Sequence, residues 1–226
     1  MISIISYGAG VSMWQILLEI LAYFSALLVA LSFHEFAHAF VAYKNGDPTA
    51  KVTGRLTLKP FSHFDAIGFV CLLLFGIGWA KPVPVDFRNF KNPKKSGFLV
   101  SIAGVSLNLL MGFLLILIYT LLVAFWPAIF SVSVYGTMLY YFLNYAILIN
   151  FALAFFNILP IYPLDGFRVV ESFAHPENTY VNVLKRYGSF ILLLLVITGI
   201  VGLYINNVAF ALVDKLVDIF LTLFKG

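Results

Sequence analysis

Three ionisable side chains fall within five residues at His34-Glu35-Phe36-Ala37-His38. On a helix, positions i and i+4 share one face, so both imidazoles can reach the same metal ion. Two neutral imidazoles suit zinc, and Glu35 beside them can take a proton from a metal-bound water. The chemistry such a set performs is hydrolysis of a peptide bond, with the carboxylate passing the proton to the leaving amine.

The surroundings give this short motif weight. The chain has 226 residues, 62% of them apolar and only 11% charged. Soluble domains carry about 25% charged residues. That composition excludes disorder, a basic nucleic-acid-binding stripe and a cytosolic globular enzyme, and it predicts an integral membrane protein. Ionisable residues inside membrane helices are costly and usually functional. Packing alone does not explain three of them at ligand spacing.

A catalytic zinc site takes a third protein ligand and leaves one position open. Ser96 to Leu164 contains no Asp, Glu, Lys, Arg or His, and the first ionisable residue after it is Asp165. Pro160, Pro163 and Gly166 break the helix around it and set Asp165 in an irregular turn. The residues alone leave two readings open: a metal ligand, or a surface carboxylate paired with Arg168. His63 is either a fourth ligand or, better, a partner of Asp65. His175, in His175-Pro176-Glu177, reads as a loop residue. The lone Cys71 reads as a small buried apolar residue.

The elements that must position these groups are helices. The first runs from about Met13 to Tyr43, with Glu19 its one charge before the motif, and ends at Asn45-Gly46-Asp47-Pro48. Without a basic leader or cleavage site ahead of it, it is expected to stay as an anchor. Lys51 to Leu58 alternates weakly, as a short strand pair would. Phe64 to Trp79 is short for a span and has basic residues on both flanks, which predicts a re-entrant segment, with a short full span as the alternative. The long uncharged run divides into spans at Gly97–Phe125 and Tyr135–Ile158, and another span covers Gly188–Ile205. The tail from Val208 to Phe224 reads as an interfacial helix or a weak final span. The expected architecture is an all-α membrane protein of one domain, residues 1–226. It has about four to six transmembrane helices around a three-helix catalytic core. The catalytic part covers about 13–168, with C-terminal helices at about 188–224.

The ordered motifs together resemble the site-2 protease family of intramembrane zinc metalloproteases, most closely its small prokaryotic members without a PDZ domain. The likeness rests on the His34–His38 motif, Gly54-Arg55-Leu56-Thr57-Leu58, Gly78-Trp79-Ala80-Lys81-Pro82-Val83-Pro84-Val85 and Asn157 through Gly166. The resemblance implies one Zn2+ per chain held by His34, His38 and Asp165, with Glu35 as general base and Asn157 polarising the scissile carbonyl. Two positions depart from the family pattern. Val105 stands where a proline precedes Asn108 by three residues, and Ala66 replaces the proline of a His-x-Asp-Pro turn.

Hydrolysis in a membrane needs a polar cavity. Gly78 to Val85 can wall it, docking an unwound substrate strand at Gly78, Trp79, Lys81, Pro82 and Val83, with Asn108 nearby. The expected partners are a transmembrane protein substrate and the lipid bilayer, with no nucleic acid. The expected location is a prokaryotic cytoplasmic membrane, multi-pass, with the site toward the cytoplasm. The rival reading is a metal-ion or proton transporter that uses the same ligands.

Overall fold

The computed structural model describes residues 12–75, 78–175 and 177–225. The described residues form helices joined by turns and irregular segments, and contain no strand. The helices are α1 (Met13–Lys44), α2 (Thr49–Val52), α3 (Ala66–Phe75), α4 (Pro93–Phe125), α5 (Val134–Asn157), α6 (Asp165–Phe173), α7 (Thr179–Ile197), α8 (Ile200–Ile205) and α9 (Ala211–Lys225). Among them α1, α4, α5 and α7 are long and apolar enough to cross a membrane.

Helices α1, α4 and α5 pack against one another and form the core of the bundle. Small residues make this possible. On α1 the buried positions Ala22, Ala26, Ala30, His34, His38 and Ala42 recur every four residues. On α4 the buried stripe is Gly97, Ser101, Gly104, Asn108, Gly112, Ile116 and Thr120. Between apolar helices in lipid there is little hydrophobic gain, so close backbone approach through small residues supplies the packing energy. Gly112 lets α4 close on the buried Phe151 ring of α5. The two histidines therefore sit in line with the alanines and point into the same contact.

Side chains fix the ends. Ser12 and Gln15 form a capping box at the start of α1. Asn92, Ser133 and Asn178 each accept a backbone N–H in the first turns of α4, α5 and α7.

The segment after α1 differs in detail from the sequence expectation. Lys51–Leu58 is not a strand pair: α2 takes its start, and the Arg55 and Leu56 N–H groups bond back to the Ala50 carbonyl. The re-entrant reading fits the described part of its segment. Helix α3 has only ten residues, about 15 Å, half of a hydrocarbon core. The chain then returns, with Gly78 against the Gly68 backbone and the Lys81 N–H donating to the His63 carbonyl at 2.9 Å. Entry and exit are thus at the same level. Gly76 and Ile77, which belong to that segment, lie outside the described residues, as do Pro176 and residues 1–11. Cys71 is half-buried on α3 rather than buried.

The first of the C-terminal helices also differs. The span expected at Gly188–Ile205 is instead α7, which starts at Thr179 and stops before a left-handed Gly199. The tail forms helix α9, 15 residues long, whose apolar face packs on the bundle. Its residues Val213, Leu216, Val217 and Phe220 pack on Ile116, Ile147 and Phe151 of α4 and α5, and its Phe224 meets Phe125. Asp214, Lys215 and Asp218 face outward.

Candidate metal centre

Helix α1 presents His34 and His38 one turn apart, both buried. Their Nε2 atoms are 3.1 Å from each other. Asp165 is the first residue of α6, behind a turn in which the Ile161 and Leu164 N–H groups bond to the Leu159 and Ile161 carbonyls. That turn closes because residue 166 is glycine: a Cβ there would lie 2.1 Å from the Ile158 carbonyl oxygen. Phe167, buried against Val181 and Leu184, holds α6 in place. The result puts Asp165 Oδ2 at 3.2 Å from His34 Nε2 and 3.1 Å from His38 Nε2. Arg168 makes no ion pair with it; among the described residues Asp165 groups instead with His34 and His38, and the three could hold a metal ion.

The triangle fits a metal ion. The three edges are 3.1, 3.1 and 3.2 Å. A tetrahedral ion with bonds of about 2.0–2.1 Å spaces its ligands at about 3.3 Å. With both imidazoles neutral, as metal ligands must be, protons do not satisfy the contacts. His38 Nδ1 lies 2.7 Å from the Val100 carbonyl, which can only accept, so Nδ1 carries the proton. The neutral ring then turns its Nε2 lone pair toward a carboxylate oxygen. Asp165 Oδ2 itself lacks a hydrogen-bond donor in its buried position. A cation resolves the conflict among three inward-facing acceptors.

Helix α4 closes the site from behind. A Cβ on Gly104 would lie 2.5 Å from His34 Cε1 and from His38 Nε2, so only glycine admits both rings. Glu35, half-buried, accepts the Val83 N–H through Oε2 at 2.8 Å. Gly104, the Val100 carbonyl and the Val83 N–H were not picked out by sequence reasoning. Gly104 could have been, since it lies in the Gly104–Asn108 motif; the other two are backbone groups and carry no residue signature.

The remaining candidates divide. Gly78, Trp79, Lys81 and Pro82 are exposed and border a cavity of about 110 Å³ between α1, α3 and α5 or lie next to it. Val83 and Asn108 are buried, Asn108 at 0% exposure among the packed helices. Asn157 is half-buried at the end of α5, and its Nδ2 donates to Leu153 of its own helix at 3.0 Å. The expected His63–Asp65 bond is absent. His63 Nε2 reaches the Thr57 carbonyl at 2.8 Å, and Asp65 caps α3 through the Gly68 N–H at 2.7 Å. Each backbone partner is nearer in the chain and already oriented. Neither does His63 belong to the metal-binding group.

The description "Peptidase family M50" matches residues 22–196, which include every one of these groups. The chain belongs to peptidase family M50. It is 41% identical over 180 residues to "Putative zinc metalloprotease YwhC" of Bacillus subtilis, covering 79% of this chain and 81% of that protein. It is 31% identical over 177 residues to a Rip2 protein of Mycolicibacterium smegmatis, covering 76% of this chain and 64% of that one. With "Zinc metalloprotease MJ0392" of Methanocaldococcus jannaschii it shares 25% identity over 185 residues, 80% of this chain and 44% of the other. No solved structure matches. Four apolar spans and membership of this family make the chain a membrane-embedded peptidase.

Proposed function

We propose that the chain is a zinc metalloendopeptidase that cleaves transmembrane protein substrates within or near their membrane helices. The observation that carries this reading is the inward-facing triangle of His34, His38 and Asp165, with Glu35 adjacent to it. These three side chains would hold the ion. When bound, zinc supplies Lewis acidity that polarises the scissile carbonyl and makes a nucleophile available at neutral pH.

The chain's own groups do the rest. Glu35 takes the proton of the attacking water and returns it to the leaving nitrogen. Asn157 stabilises the developing oxyanion, for which its Nδ2 exchanges the Leu153 carbonyl for substrate. Gly78, Trp79, Lys81 and Pro82 offer the exposed surface along which an unwound segment lies. A re-entrant α3 supports this arrangement, because non-helical backbone at membrane depth is tolerated against protein or a watery cavity.

The protein is a multi-pass membrane protein with the site toward the cytoplasm. The support is the concentration of basic residues in the segments next to the site: Lys44, Lys51, Arg55, Lys59, Lys81, Arg88, Lys91, Lys94 and Lys95. The whole chain acts as one unit, with its catalytic part at about 13–168. A transporter would need ligands along a path, whereas the described residues hold a single ligand group.

The test is Glu35→Gln in purified protein. It should keep one zinc per chain and lose cleavage of a model transmembrane substrate by about 100-fold or more. Cleavage retained would reject the protease reading. Zinc flux in proteoliposomes that survives the substitution would establish the transporter.

A further inference from the structure

The segment Lys81-Pro82-Val83-Pro84-Val85 has an unusual inventory of backbone donors. Pro82 and Pro84 have no N–H. Lys81 and Val83 each precede a proline and are biased to extended backbone. Between residues 82 and 84 the chain thus offers one donor, the Val83 N–H. The structure spends it on Glu35 Oε2 at 2.8 Å. Val83 is 8% exposed and packs with Ala39, Ala50 and Leu56, one helical turn along α1 from Glu35.

The neighbouring groups hold that donor in place. Arg55 is 9% exposed and forms no ion pair among the described residues. Burying a guanidinium is costly unless its charge is used. Here its Nη2 lies 2.5 Å from the Lys81 carbonyl oxygen and 3.4 Å from that of Pro82. The Lys81 N–H donates to the His63 carbonyl at 2.9 Å. Every backbone polar group from the Lys81 N–H to the Val83 N–H is therefore engaged by the protein itself. A substrate strand pairing along this edge would have to displace Arg55 or Glu35.

We propose that the Val83 N–H is a positioning donor for the Glu35 carboxylate and that Arg55 is the residue that holds it there. The inference rests on the reading of Glu35 as the general base. One carboxylate oxygen is pinned to the loop, and the other is left oriented for proton transfer. A glutamate has three rotatable bonds, and fixing its head removes unproductive rotamers. Arg55 and Val83 act through Glu35 and do not touch substrate.

The experiment uses the full-length, zinc-loaded protein in proteoliposomes and three variants: Arg55→Ala, Arg55→Lys and Val83→Pro. Arg55→Ala and Val83→Pro should each lower kcat on the order of 10- to 100-fold. KM should stay within about 2-fold, because only an interaction realised in the transition state is lost. Zinc should remain at one per chain, and Arg55→Lys should recover part of the rate. The double variant Arg55→Ala/Val83→Pro should lose little more than either single one, as coupled residues do. A readout independent of activity is hydrogen exchange at the Val83 amide. It should be slow in the parent and faster in Arg55→Ala and in Glu35→Ala.

A raised KM with unchanged kcat would overturn the proposal and make the Arg55 and Val83 contacts a support for substrate binding alone. So would additive losses, zinc loss from a folded Arg55→Ala variant, or fast Val83 exchange in the parent. If Arg55→Ala does not fold, Val83→Pro decides, and an unchanged kcat there rejects the proposal. Cleavage that survives Glu35→Gln rejects the base itself. Cleavage lost in Glu35→Gln but intact in Val83→Pro rejects only the positioning.

Discussion

The ligand triangle and the Lys81–Asp86 segment lie side by side and are held by different means. His34 and His38 are set by helix packing: alanines precede and follow them on α1, and Gly104 brings α4 against both rings. The segment has no regular structure and is held by polar side chains on its backbone. Arg55 takes two carbonyls, Glu35 takes the Val83 N–H, and Asp47 takes the Asp86 N–H. Packing is short-ranged and steep, so a single added carbon is felt at once. Hydrogen bonds to a loop are worth about 1 kcal/mol each and can be lost one at a time. The metal centre should therefore fail all at once, and the loop by degrees.

The largest effect expected from this contrast is at Gly104. A methyl group in Gly104→Ala would meet both imidazoles at about 2.5 Å. Either α4 or the rings must move, and ligand geometry cannot absorb a shift of that size. Zinc affinity, measured by competition with a chromogenic chelator, should fall by about 100-fold or more. Cleavage should fall with it and return in part at high zinc. Undiminished affinity would mean that α4 does not shape the site.

A smaller and more graded effect is expected at Asp47. It is buried and accepts the Thr49 N–H at 3.1 Å, the Asn89 amide at 2.8 Å and the Asp86 N–H at 2.8 Å. Burial pushes its pKa up, but the bond from the Thr49 hydroxyl, together with these, prevails and holds it below its ordinary value. A lowered carboxylate pKa contributes stability that is complete above the unfolded-state value and is lost as pH falls through the folded one. Limited proteolysis of the loop should thus increase on acidification below about pH 4, the ordinary carboxylate pKa. Asp47→Ala should show the loosened loop already at neutral pH, with about 10-fold lower cleavage and zinc retained. Zinc lost together with the loop would erase the distinction between the two regions.

The same contrast explains what could be read from the sequence. His34 and His38 were legible because helical periodicity fixes their relation without any tertiary knowledge. The α4 and α5 boundaries were legible within a few residues because Trp126-Pro127 divides the uncharged run and Pro160 breaks the helix near its end. Asp165 was legible only as one of two readings, since its approach to the histidines depends on a turn that closes through Gly166. The start of α7 was missed because the expected span was begun after the charged Lys185 and Arg186, while the Glu171–Lys185 ion pair accommodates one of them on the helix. The pairing of His63 with Asp65 failed because nearer backbone groups compete for both. The Val83–Glu35 bond was out of reach of residue patterns, since its donor is an amide that every residue except proline carries.

The smallest effect is expected at the far end of α1. Glu19 accepts a hydrogen bond from the Tyr145 hydroxyl of α5, beside an edge-to-face contact of Tyr23 with Tyr145. It is fifteen residues from His34 on the same helix, about 22 Å along the axis. A carboxylate in an apolar helix needs such a partner, yet hydrogen bonds between membrane helices contribute only about 0.6 kcal/mol on average. Tyr145→Phe keeps the ring and removes the bond. It should lower thermal stability by a few degrees, while zinc affinity and kcat stay within about 2-fold of the parent. That outcome would show that the α1–α5 contact transmits little along its length, because each alanine layer packs independently of the next. A large fall in zinc affinity would instead mean that α1 moves as one rigid rod, and that the metal centre depends on packing well beyond its own turn of helix.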